Sequence, residues 1–154
     1  MIFFKSGLTT SLFLMLILTV LSCKKNVDGC TDSTADNYNT EANTDDGTCN
    51  FHGNLNAWYD NTTRDSLLAN NVASVTVYID GEVFTNIYPA SVLWSAEPEC
   101  STSSIGNWVT MQGVKSKSFS LQVKALDSSN AEIKQWNETL NITSGTCQLY
   151  KIIW

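Results

Sequence analysis

The strongest constraint on the fold is a two-residue period in side-chain polarity that recurs through the C-terminal two-thirds of the chain. Ser118-Phe119-Ser120-Leu121-Gln122-Val123-Lys124-Ala125 alternates polar and apolar residues without a break. Successive side chains of a strand point to opposite faces, so this run predicts a strand with one wet and one buried face. Upstream, Ser74-Val75-Thr76-Val77-Tyr78-Ile79 and Glu82-Val83-Phe84-Thr85-Asn86-Ile87 flank Asp80-Gly81. Asp-Gly between two such runs predicts a hairpin, because a type I′ turn needs positive φ at both central residues. After the turn Asp127-Ser128-Ser129-Asn130, Ala131–Trp136 and Glu138–Thr143 are expected as two strands, and Thr146–Ile153 as another after Ser144-Gly145. Further strands are expected at Leu55–Tyr59, Ser91–Ser95 and Trp108–Gln112. No stretch holds an apolar period of 3.6 residues, and Asp65–Asn70 is expected to give one helical turn at most. Roughly seven to nine short strands predict an all-β domain over residues 51–154, a small antiparallel β-sandwich of immunoglobulin- or prealbumin-like type.

The N-terminus has a different layout. Lys5 and the free amine precede an apolar run from Leu8 to Leu21 and the small residue Ser22. That is the arrangement of a secretory signal peptide, and the run is shorter than the ~20 residues a membrane-spanning helix needs. Val20-Leu21-Ser22-Cys23 resembles the bacterial lipobox. The resemblance implies removal of residues 1–22 and lipidation of Cys23, followed by a tether over residues 23–28. One acyl chain holds a protein marginally and two or more hold it stably, so a lipoprotein of this kind has the membrane as a partner through its lipid alone. It also implies an outer membrane lipoprotein facing the periplasm or the cell surface.

With Cys23 assigned to lipid, Cys30, Cys49, Cys100 and Cys147 remain. An even number in an exported chain predicts disulfides, and four cysteines allow three pairings. Their segregation along the sequence favours Cys30 with Cys49 and Cys100 with Cys147. A Cys₄ metal site lacks the C-x₂-C spacing such sites use.

Residues 29–50 form an acidic, cysteine-bounded module. Apart from Tyr38 and a few alanines it contains nothing that builds a core, so it needs a disulfide, a metal or both to offset its ordering entropy. Gly29-Cys30-Thr31-Asp32, Ala35-Asp36-Asn37-Tyr38-Asn39, Ala42 and Asp45-Asp46-Gly47-Thr48-Cys49 resemble a short repeat of bacterial surface and secreted proteins, found beside adhesive or β-sandwich domains. The resemblance implies a context and no particular chemistry. Calcium is the candidate cofactor, with Asp32, Asp36, Asn37, Asp45 and Asp46 as candidate ligands, because hard cations take clustered carboxylate and carbonyl oxygens. The spacing fits neither an EF-hand loop nor a regular D-x-D-x-D-G run. The competing expectation is a disulfide-held spacer rich in Asn and Asp turn formers. In the C-terminal domain, Val75–Gly81 and the ending from Trp136 to Cys147 resemble PEGA-type and carboxypeptidase-regulatory-like domains.

Catalysis has little to draw on. Histidine occurs once, at His52 in the joint between module and domain, and arginine once, at Arg64. General acid–base work near neutral pH relies most on histidine, and no G-x-S-x-G, H-E-x-x-H, P-loop or dinucleotide fingerprint is present. The 15 acidic side chains outnumber the 9 basic ones, and loss of Lys5 with the leader makes the mature chain more negative still. Such a surface repels nucleic acid. Five tryptophans raise the possibility of stacking on sugars, against the simpler expectation that they are core or cover. The sequons at Asn61, Asn137 and Asn141 read as chance in an Asn/Thr-rich chain. The expected function is therefore a non-enzymatic, membrane-anchored lipoprotein that displays a β-sandwich for structural, adhesive or accessory-binding roles, with a surface protein or glycan as partner. The alternative is a calcium- or carbohydrate-binding accessory module of a cell-surface system.

Overall fold

The computed structural model describes residues 25–89, 91–99 and 107–154. Cys23 and Cys100 lie outside these described residues. The elements in chain order are β1 (Asp28–Gly29), β2 (Thr44–Asp45), β3 (Asn50–Trp58), α1 (Asn61–Ala69), β4 (Ser74–Ile79) and β5 (Glu82–Ile87), then β6 (Asn107–Gln112), β7 (Ser116–Leu126), β8 (Glu132–Thr143) and β9 (Cys147–Lys151). Among the described residues the fold is all-β with one short helix. A four-stranded antiparallel sheet has the order β5-β4-β7-β8, and a three-stranded sheet has the order β6-β3-β9.

Local sequence explains most of this. Phe119, Leu121, Val123 and Ala125 of β7 are buried, as the alternation requires. Asp80 (φ 48°) and Gly81 (φ 87°) adopt the positive φ of a type I′ turn between Ile79 and its partner Glu82. Asp80 also accepts from the Ser120 N–H at 2.9 Å, which ties the hairpin tip to β7.

Four features differ from expectation. The strand pairing is not wholly antiparallel, because β9 joins β3 in parallel, Asn54 opposite Cys147 through Trp58 opposite Lys151. The runs on either side of Asn137 form one strand, since Asn137 pairs with Gln122 and nothing between Trp136 and Glu138 breaks the ladder. Residues 91–95 form no strand; the Ser91 and Val92 N–H groups both donate back to the Tyr88 carbonyl in a turn. The helix α1 is longer than a single turn. Asp60 caps it by accepting from the Thr63 N–H at 2.8 Å, and Asn71 at φ 60° ends it. Its buried positions are Thr63 and Leu67, one helical turn apart, so one of the two inward side chains is polar and the apolar period is hidden.

One apolar core serves both sheets, with Val75, Val77, Leu121, Val123 and Ile142 from the larger and Phe51, Leu55, Ala57, Val109 and Met111 from the smaller. The sheets approach closely at Gly53. A Cβ there would lie 2.5 Å from Ile142 Cγ2 and 2.8 Å from the Thr143 carbonyl oxygen. Only glycine permits this contact, and it seats the β8–β9 turn on β3. The Gly145 N–H donates to the His52 carbonyl at 3.0 Å, and the Asn54 N–H to the Thr146 carbonyl at 2.9 Å.

Candidate functional site

The acidic module is closed by the Cys30–Cys49 disulfide, with Cα atoms 4.8 Å apart. Cys147 is also disulfide-bonded. The module sits against the smaller sheet rather than apart from it. The Gly113 N–H donates to the Cys49 carbonyl at 2.7 Å, and the Asp36 N–H to the Asn50 carbonyl at 2.8 Å. Lys115 reaches Asp32 at 2.6 Å, and His52 Nδ1 reaches Asp36 Oδ1 at 2.6 Å.

The candidate calcium ligands do not converge. Asp32 accepts from the Thr34 N–H and hydroxyl as well as from Lys115. The Lys115 ammonium first, and the Thr34 donors second, hold its pKa down to about 2. Asp36 faces His52. Asn37 bridges the chain, donating to the Thr48 carbonyl at 2.8 Å and accepting from the Asn50 N–H at 2.7 Å. Asp45 accepts from the Gly47 N–H at 3.3 Å, and Asp46 from the Thr48 hydroxyl at 2.6 Å and N–H at 2.9 Å. The Thr48 donors also lower the Asp46 pKa. Each acid serves its own turn or ion pair, and no three His, Cys, Asp or Glu side chains gather around one point among the described residues.

A concave site does form where the module meets the sheet. A groove of about 290 Å³ is lined by His52, Gly53, Asn54, Trp108, Gly145, Thr146 and Cys147. Its construction follows from strand register. Phe51 and Leu55 of β3 point into the core, so His52 and Asn54 take the opposite face. On β6, Trp108 lies opposite Asn54 and one diagonal step from His52. The two rings meet edge to face with centroids 3.9 Å apart. Gly53 and the β8–β9 turn close one side.

Asp36 fixes this arrangement. It accepts the His52 Nδ1 proton and so orients the imidazole, whose edge supports the Trp108 indole. A carboxylate that orients a histidine is half of a nucleophilic relay, but no hydroxyl or thiol is hydrogen-bonded to His52 among the described residues. The Asn54 side-chain oxygen is buried and accepts no hydrogen bond among the described residues.

The tryptophans separate into two groups. Trp58 is 5 % exposed, and Trp94, Trp136 and Trp154 pack against the core, whereas Trp108 is 62 % exposed. Four of the five are thus core or cover. His52, Asn54 and Trp108 were not distinguishable as a group in the sequence. The usable signal was the alternation Phe51, Gly53, Leu55 against His52, Asn54, which starts β3 at Asn50 instead of Leu55.

The chain matches no family model, no curated protein and no solved structure.

Proposed function

We propose that the chain is an exported lipoprotein, anchored through Cys23, that displays the stapled acidic module and the all-β domain as a non-enzymatic binding unit. The cysteine inventory carries this. There are five cysteines; Cys30 and Cys49 bond to each other, and Cys147 takes one more partner. Two bridges consume four thiols and leave one. If Cys147 pairs with Cys100, the remaining thiol is Cys23, at the end of the apolar leader where a lipobox places it.

The position of Lys25 supports the same view. Its carbonyl accepts from Asn43 Nδ2 at 2.9 Å, and the Val27 carbonyl accepts from the Asn43 N–H at 2.9 Å. Lys25 and Val27 are thus tied to the module within a few residues of Cys23, so a lipid there holds the module at the membrane surface, with the β domain beyond it. The groove then provides the binding surface, since its polar atoms and aromatic face are pre-positioned by the β3–β6 register and the Asp36–His52 contact.

The test is metabolic labelling with an alkyne-bearing fatty acid, followed by membrane fractionation. The parent chain should be labelled and pellet with membranes; Cys23→Ser should lose both properties and remain folded. Membrane-bound, labelled Cys23→Ser protein would refute the anchor.

A further inference from the structure

We propose that the groove floored by Trp108, His52 and Asn54 binds one neutral pyranose unit of a polysaccharide. Trp108 is the starting point. An indole held on a regular strand and 62 % exposed forgoes the burial that the other four tryptophans gain. Its neighbours hold it still: the His52 ring braces it at 3.9 Å between centroids, and Asp36 braces His52 at 2.6 Å. A platform fixed in advance loses little side-chain entropy when a ligand stacks on it.

The other lining groups select the ligand. Among the described residues no aliphatic side chain lines the groove, which disfavours an acyl chain or an apolar peptide. No described lysine or arginine lines it either, and Asp36 stands behind His52, so phosphate and carboxylate groups meet no counter-charge among the described residues. The groove offers an aromatic face, the Asn54 side-chain amide, an imidazole with Nε2 outside the Asp36 contact, and a glycine-containing turn. A pyranose ring matches both features, with a C–H face for the indole and hydroxyls that donate and accept at the amide and imidazole. About 290 Å³ is at the small end of ligand sites, room for about one sugar ring. Binding by a single unit is weak, so function requires many units along one chain, which a membrane-displayed protein engages by avidity.

The experiment is affinity electrophoresis of the full chain, purified from whichever cell fraction holds it, in native gels. The gels contain soluble neutral polysaccharides (mannan, xyloglucan, a β-glucan) or, separately, an anionic one such as alginate. The expected result is retardation by at least one neutral polymer. Trp108→Ala should weaken it by at least tenfold and Asn54→Ala by a smaller factor, while Trp154→Phe leaves it unchanged. Melting curves for each variant confirm folding. Migration of the parent unaffected by every neutral polymer overturns the proposal. So does retardation that survives Trp108→Ala, or retardation by alginate alone. Because the protein is taken from either fraction, the result is independent of whether Cys23 carries lipid.

Discussion

Removing the Cys30–Cys49 bridge should unfasten the acidic module while leaving the sheets intact. The two cysteines are 19 residues apart, and closing a loop of that length restricts the unfolded chain by about 3 kcal/mol. Little else holds the module. Its buried apolar groups are the two cysteines and Ala35, and its ion pairs to Lys115 and His52 are partly exposed and screened. The larger sheet contributes Val75, Val77, Leu121 and Val123 to the core, and none of these belongs to the module. In Cys30→Ala/Cys49→Ala, native-state hydrogen exchange should therefore accelerate by about 100-fold at the amides of Asn39 and Asn43, which donate to the Cys30 and Val27 carbonyls. The amides of Val75, Val77 and Val123 should change by less than about threefold on the same reasoning. Parental exchange at Asn39 and Asn43 would show that the bridge is not what orders the module. Equal acceleration in β4 and β7 would show that the module and sheets form one cooperative unit.

Three further outcomes follow from particular contacts. Gly53→Ala drives a methyl group into Ile142 and the Thr143 backbone oxygen, which cannot both retreat, and should cost about 1–3 kcal/mol in thermal unfolding; an unchanged melting temperature would contradict the close approach of β3 and β8. Tyr59 is 1 % exposed, its hydroxyl has no hydrogen-bond partner among the described residues, and burial pushes its pKa up to about 12. The fold thus favours the neutral phenol, so stability is retained below pH ~10 and lost as pH rises towards 12. Tyr59→Phe should be neutral or stabilising at pH 7 and should remove that alkaline loss; marked destabilisation at pH 7 would indicate a partner for the hydroxyl. At acid pH the sign reverses. Lys151 and the Thr63 N–H hold Asp60 down to about 2, as Lys115 and Thr34 hold Asp32. Stability from both acids is present above pH ~4 and lost as pH falls through 2, so Asp32→Asn/Asp60→Asn should flatten the acid limb of a melting-temperature profile. An unaltered limb would mean the two carboxylates do not contribute.

How much of this was legible in the sequence depended on the range of the interaction. Residues Phe119 to Ala125 and the Asp80-Gly81 hairpin are set by neighbours within a few positions, and both formed as the pattern predicts. The Cys30–Cys49 bridge follows from cysteine segregation. The parallel seating of β9 beside β3 depends on the contact at Gly53, which no local pattern encodes. Helix α1 was obscured because Thr63 occupies an inward position. The acidic residues of the module suggested a cation; the contacts they make to adjacent Thr and Gly donors and to Lys115 and His52 are set by turns and by partners visible only after folding. The groove was hidden for the same reason: His52 and Trp108 are distant in sequence and meet only through the β3–β6 register.

The central claim is that Cys23 carries lipid and the other four cysteines pair. Intact mass and N-terminal peptide analysis of the protein isolated from membranes, without reduction, tests it directly. The account predicts a mature chain beginning at Cys23 and acylated there, with Cys30–Cys49 and Cys100–Cys147 peptides and no free thiol. A chain beginning elsewhere, or Cys23 linked by disulfide to Cys147, would contradict it.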